Sequence, residues 1–170
     1  VRVLAIDPGP ARSAFLVYDS ETNLPVRWEI RENADVLWAI DANSGECDSL
    51  AVEMIASYGM AVSASVFDTC VWIGRFMERW MFVAPNEDEP TLVFRIKAKM
   101  HLCHDSRAKD ANIRAALIDR FGGKDRAIGL KASPGPLYGM SGDCWAALAV
   151  AITAVEHPEY AQLTLKEEVS

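Results

Sequence analysis

No stretch of this chain approaches the roughly 20 uninterrupted apolar residues that a membrane helix requires, so no membrane partner is expected. The first residues carry no basic-then-apolar leader pattern either, and the expectation is a cytoplasmic protein. Cysteine is sparse and scattered: Cys47, Cys70, Cys103 and Cys144 include no pair at metal-finger or redox spacing. They are expected to be reduced and mostly buried, which excludes a disulfide scaffold. Histidine is rarer still, and "HLCHD" (101–105), where two of the three His stand, matches no common zinc spacing. That stretch is expected to be a basic, DNA-facing turn. Positive charge is also in deficit, with 17 Lys and Arg against 24 Asp and Glu, a net charge of −7 and a pI near 5.0. Averaged over the chain, this argues against a polyanionic partner.

The average hides an asymmetry. Between Arg95 and Lys131 stand ten Lys and Arg and only four acids, so this segment carries +6 and the remainder −13. A basic segment in an acidic body suits a protein that docks a polyanion on one face. With 51% hydrophobic residues and 170 residues in all, the chain is a folded one with material for one sizeable core. We expect a single domain over 1–156 and a polar, peripheral tail over 157–170, with no internal repeat.

Hydrophobic patterning predicts a mixed α/β architecture. Strands are expected over 1–7 and 13–19, with a half-solvated third over 26–31 that alternates apolar and polar residues. Short turns between them predict an antiparallel meander. Asn33 is positioned to cap a short helix through about Ala42, and "SLAVEMI" (49–55) reads as a buried fourth strand. Apolar residues at helical spacing predict a long, largely buried helix over 64–83, and "TLVFRIK" (91–97) reads as a fifth strand. A helix is expected over 108–123, with Ile113, Ala116, Leu117 and Phe121 on one face and a Gly-Gly stop. The stretch 122–140 is expected to be a loop, and a nearly all-apolar helix closes the domain over 141–156. Together these predict a five-stranded sheet covered on both faces.

Three acids stand where apolar residues would be expected: Asp7 ends the first strand, Glu53 interrupts the fourth, and Asp143 opens the last helix. A buried, unpaired carboxylate is costly. Asp143 has an alternative use at the positive end of a helix, and Asp7 one in bonding turn amides. Glu53, in the middle of a strand, has no local backbone donor. One bound cation would satisfy all three. Oxygen-only ligands point to Mg²⁺ or Mn²⁺, and carboxylates bridging two such ions about 4 Å apart form a clamp for phosphoryl displacement. With the basic segment, this points to a nuclease.

"AIDPG", "AVEMI" and "SGDCWAALAVAIT" resemble, in order and spacing, the three active-site blocks of the RuvC-type Holliday-junction resolvases. "RIKAKMHLCHDSRAKDANIRAALIDRFG" also resembles that family's basic segment before its last block. The short, divergent linkers look more like the phage or prophage branch. The resemblance implies an RNase H-like fold, a homodimer, and paired metal-dependent nicks in a four-way DNA junction. It assigns catalytic and metal-binding roles to Asp7, Glu53 and Asp143. It departs at one position: the family's last helix commonly offers a second acid three residues after the first, and here that residue is Ala146.

Lys97, Lys99, Arg107 and Lys109 are the expected phosphate contacts, and Tyr58, just beyond Glu53, is a candidate to stack on an unpaired junction base. The face of the 64–83 helix bearing Trp72, Phe76 and Trp80 is where dimer burial is expected. Two other readings on the same fold stay open, a junction-binding protein that does not cut and a nuclease for flaps or RNA–DNA hybrids. The Asp-x-Gly turn also opens actin-like and sugar-kinase nucleotide-binding folds, but their second phosphate-binding hairpin is not found.

Overall fold

In the computed structural model, residues 1–56, 62–85 and 89–161 are described. Strands β1 (Arg2–Asp7), β2 (Arg12–Asp19) and β3 (Leu24–Glu32) form the antiparallel meander. Strand β4 (Ser49–Met54) lies parallel to β1 on its other side, and β5 (Thr91–Phe94) lies parallel to β4. The sheet order is therefore β3-β2-β1-β4-β5.

Strand alternation divides the core into two layers. Val3, Ala5, Ala14, Leu16, Tyr18, Ala51 and Val93 face one side of the sheet. Leu4, Ile6, Phe15, Val17, Leu50, Val52 and Leu92 face the other. Helices α1 (Asn33–Asn43) and α2 (Ala64–Val83) cover the second face, tied to each other by the Arg79–Asp41 ion pair at 2.5 Å. The first face is covered by α3 (Arg95–Cys103), α4 (Asp110–Arg120) and α6 (Cys144–Glu156). Helix α6 is apolar nearly all round because it is buried nearly all round. Its Ala147 and Ala151 share a core with Ala5, Ala14 and Ala51 of the sheet, small residues that let helix and strands approach closely.

The structure corrects several expectations. Helix α2 spans the expected residues but is not largely buried. Only Thr69, Ile73, Phe76 and Trp80 are inside, while Phe67 and Val71 are each 62% exposed. Its apolar residues form two stripes, and one faces out. The fifth strand ends at Phe94, and from Arg95 the chain is helical with Ala98 buried and Leu102 packed a turn later. The segment 122–140 is not wholly loop: it forms the helical turn α5 (Lys124–Ala127) and a small hairpin of β6 (Gly129–Leu130) and β7 (Ser133–Pro134). A 3₁₀ turn follows α6 over Pro158–Ala161.

Candidate active site

The β1–β4 register pairs Ala5 with Ala51 and Ile6 with Val52, and continued by one residue it sets Asp7 beside Glu53. Two-residue periodicity gives Asp7 the face of Ala5 and Glu53 the face of Ala51, which is the α6 side. The first strand thus stops on a carboxylate where the core layer opens at the head of α6. Asp143 stands at the cap position of that helix, yet its side chain makes no capping bond. Asp143 thus keeps the place at the positive end of the helix that the sequence suggests, without a capping bond. Its carboxylate lines a cavity with Asp7.

A buried clamp holds the turn after Asp7. The Ser13 hydroxyl donates to Asn33 Oδ1 at 2.6 Å and accepts the Gly9 N–H at 3.1 Å, while Asn33 Nδ2 donates to the Gly9 carbonyl at 2.9 Å. Asn33 is thus not the helix cap that its position before an apolar run predicts. Glu32 holds the cap position, without a side-chain bond, and Asn33 fastens the Asp7 turn to β2. Each partner is buried or nearly so, and removing one strands the others. Asn33→Ala is expected to cost about 1–3 kcal/mol in urea unfolding, and a change below about 0.5 kcal/mol, the scale of ordinary surface substitutions, would show the clamp to be dispensable.

The electrostatics follow from this crowding. Asp7 is pushed up to about 9, first by burial, then by the charge and hydrogen bond of Glu53 and by the charge of Asp143, with Arg95 working the other way. Glu53 is only 7% exposed, and its Oε1 accepts a hydrogen bond from Arg95 Nη1 at 3.0 Å. The other arm of Arg95, Nη2, donates to Asp110. Burial works against the Arg95 charge, but Glu53 and Asp110 outweigh it and hold its pKa above the ordinary value. Asp7 and Arg95 line two cavities. One, of about 280 Å³, continues along Pro8, Glu53, Met54, Ile55 and Ala56. The other, of about 70 Å³, is walled by Asp110, Ile113, Gly142, Asp143, Trp145 and Ala146.

Asp7, at the end of β1, feels the charges of both Glu53 on β4 and Asp143 at the head of α6, and it lines one cavity with the first and the adjoining one with the second. As placed, no group of three His, Cys, Asp or Glu among the described residues closes on one point to clasp an ion, and Glu53 meets a guanidinium instead. The donor set nonetheless fits a hard divalent cation: every donor is a carboxylate oxygen. Burial first, and the neighbouring Glu53 and Asp143 after it, raise Asp7 against the opposing charge of Arg95.

The expected phosphate contacts lie outside both cavities. Lys97 stands on α3 rather than at the end of a strand, Lys99 lies on the same helix, Arg107 is exposed in the α3–α4 turn, and Lys109 immediately precedes α4. Tyr58 lies outside the described residues. "HLCHD" is mainly the last turn of α3, not a free basic turn: His101 bonds Glu156 at 2.9 Å and meets the His157 ring edge-on at 4.4 Å. Charge pattern alone does not single out Arg95 among ten basic residues. Its place becomes legible from the sheet, where Glu53 pairs with Val93 and Arg95 follows two residues later, just past the end of β5.

No protein family and no curated protein matches the chain by sequence. Solved structures do match. The structure of Thermus thermophilus RuvC superposes with a TM-score of 0.58 at 18% identity, over 91% of this chain and 93% of that one. The fold is that of RuvC. T. thermophilus RuvC in complex with a Holliday junction substrate superposes with a TM-score of 0.59 at 17% identity, over 91% and 92% of the two chains. The mixed five-stranded sheet with an antiparallel first three strands and helices on both faces is what the hydrophobic pattern predicts.

Proposed function

We propose that this chain is a divalent-metal-dependent endonuclease that resolves four-way DNA junctions by paired nicks. The observation that carries the reading is that Asp7, on a RuvC fold, stands between Glu53 and Asp143, within reach of the charge of each. Its support from the comparisons is that a solved structure of this fold holds a Holliday junction substrate. Held by these carboxylates, Mg²⁺ or Mn²⁺ supplies a more acidic water and charge stabilisation for the leaving oxygen. In the reaction an oxygen–phosphorus bond forms from water and the bond to the 3′ oxygen breaks, leaving a 5′ phosphate and a 3′ hydroxyl. For its part, Asp7 gives up the proton that burial favours, and Glu53 exchanges its pairing with Arg95 for the reaction centre. Lys97, Lys99, Arg107 and Lys109 position the phosphate backbone, and Tyr58 is assigned to an unstacked base.

Symmetric nicks require a two-fold axis, so a homodimer is part of the proposal. The α2 face first expected to form it belongs to the core instead, since Phe76 and Trp80 are buried and Trp72 packs partly against the same cluster. Phe67 and Val71, on the exposed stripe, replace it in the proposed interface.

The test is incubation of an end-labelled synthetic four-way junction, a flap and an RNA–DNA hybrid with Mg²⁺ or Mn²⁺. Paired nicks in the junction support the reading, and preference for a flap or hybrid redirects it within the fold. Arg95 on Glu53 favours a second reading, a junction-binding protein that does not cut, for which tight binding without nicks is the expected outcome. On either reading, converting Lys97, Lys99, Arg107 and Lys109 together to Ala should flatten the dependence of log Kd on log salt by about 3 to 4 units, at about 0.9 for each lost phosphate contact. Fluorescence anisotropy between 50 and 200 mM salt checks this, and an unchanged slope removes these residues from the interface.

A further inference from the structure

The two cavities beside Asp7 share a cation. Arg95 lines both, with one guanidinium arm, Nη1, donating to Glu53 Oε1 at 3.0 Å and the other, Nη2, joined to Asp110. Its two partners differ in kind. Glu53 is buried in the sheet and is one of the acids read above as metal ligands, whereas Asp110, at the start of α4, has a side chain 78% exposed. A guanidinium and a divalent cation therefore compete for one buried carboxylate.

Local structure does not account for the place of Arg95. It opens α3, Lys97 follows in the same first turn, and that turn holds no acid. The positive end of a helix disfavours cations, and burial also works against the Arg95 charge. Carboxylates hold it there instead, so a guanidinium that loses Glu53 needs another anion within reach. The larger cavity supplies the room, because a phosphodiester brought to these acids enters between Asp7, Glu53 and Arg95. A planar fork of donors matches phosphate oxygens as well as carboxylate oxygens. The Arg95 side chain is 40% exposed, and with Nη2 kept on Asp110, Nη1 can change partner without the side chain leaving the cleft.

We propose that Arg95 couples metal binding to phosphodiester binding: it holds Glu53 before the metal arrives, yields Glu53 to the metal, and then turns Nη1 to an oxygen of the incoming phosphodiester, with Asp110 as the pivot. The proposal rests on the metal-dependent reading above and adds its regulation. Without DNA, a metal must displace a cation that has nowhere else to go; with DNA, the displaced arm has a phosphate to meet. By linkage, each ligand then tightens the other by the same factor.

Calorimetric titration of the full chain with Mn²⁺, without DNA, is the first test. Arg95→Gln removes the competing charge, so it should tighten Mn²⁺ binding at least about fivefold, the lower end of ordinary coupling between sites. It also leaves Glu53 buried without its partner, so the thermal midpoint in EDTA should fall, and Mn²⁺ should raise it by more than it raises that of the wild type. An arginine that only braced the fold would lower the midpoint without tightening Mn²⁺. Equal or weaker Mn²⁺ binding by Arg95→Gln overturns the proposal. The second test is binding of a fluorescent four-way junction, read by stopped-flow anisotropy before nicking. Contact between metal and phosphate is common to both proteins, so the share of Arg95 is the excess: the gain in junction affinity from Mn²⁺ should be at least about fivefold larger in the wild type than in Arg95→Gln. Equal gains overturn the proposal. Should Arg95→Gln not fold without metal, Arg95→Lys carries this second test. One ammonium group cannot hold Asp110 and a phosphate oxygen as a fork does, so its gain should also fall below that of the wild type, and an undiminished gain overturns the proposal. If the wild-type chain binds no Mn²⁺ with or without the junction, the metal-site reading falls and this one with it. If it binds Mn²⁺ and Arg95→Gln binds it no more tightly, the metal-site reading stands and this one alone falls.

Discussion

Asp7→Asn should give a protein that folds more stably without metal and no longer cuts DNA. The stability argument follows from the sign of the shift. Asp7 is raised from 3.8 to about 9 in the fold, so between those values the native state holds a proton that the unfolded chain has released. Stability therefore falls as pH rises through that window, by up to about 1.4 kcal/mol per unit. Asn is neutral at every pH and can donate a hydrogen bond to Glu53, so this penalty disappears. In EDTA, the wild-type thermal midpoint should drop between pH 5 and pH 9 while that of Asp7→Asn stays nearly level, with the variant ahead at pH 8. Mn²⁺ should reverse the order, because a cation stabilises the ionised wild-type site. Cleavage should fall at least about a thousandfold, equivalent to about 4 kcal/mol of transition-state stabilisation, with junction binding retained. Parallel pH profiles for the two proteins would refute the view of Asp7 as a strained, buried acid.

The same crowding explains why some of this site is legible in the amino-acid sequence and some is not. Glu53 betrays itself because an acid in the middle of a buried strand has no cheap local explanation, and Asp7, which the turn amides could have explained, stands out only beside it. The meander and the α6 pattern are equally readable, since each is a run of one period ending in Gly, Pro or polar residues. The end of β5 is not. In "TLVFRIKAKM" an alternating pattern and a four-residue one coincide, and the helix prevails through Ala98 and Leu102, whose contacts with the α6 core are tertiary. Because Arg95 falls at that boundary, its role is hidden along with it. Asn33 is misleading for another reason. An Asn before an apolar run has the look of a cap, and its actual partners, Ser13 and the Gly9 carbonyl, lie 20 and 24 residues away.

Gly9→Ala should be the most disruptive small substitution at this end of the sheet, and for a reason that is not conformational freedom, since Gly9 is absent from the positive-φ residues. A methyl at Gly9 would run into the backbone carbonyl oxygen of Arg12, where β2 begins. That atom is fixed in the sheet and cannot swing aside as a side chain could, so the turn must open. Opening it pulls the Gly9 N–H from Ser13 and the Gly9 carbonyl from Asn33. Overpacking and lost buried hydrogen bonds together should cost about 2–4 kcal/mol. Asp7 is only two residues away, and a displacement on the order of 1 Å at a reacting centre is enough for about a hundredfold loss of rate. Gly74→Ala is the matched control: the position lies in α2 with nothing within 4 Å of an added methyl, so the substitution should stabilise by up to about 1 kcal/mol and leave cleavage unchanged. Urea unfolding and junction cleavage below the variant's melting temperature measure the two effects separately. If Gly9→Ala loses stability but cuts normally, the turn serves the fold alone; if it loses both while Gly74→Ala loses neither, the Pro-Gly-Pro turn is what aims Asp7.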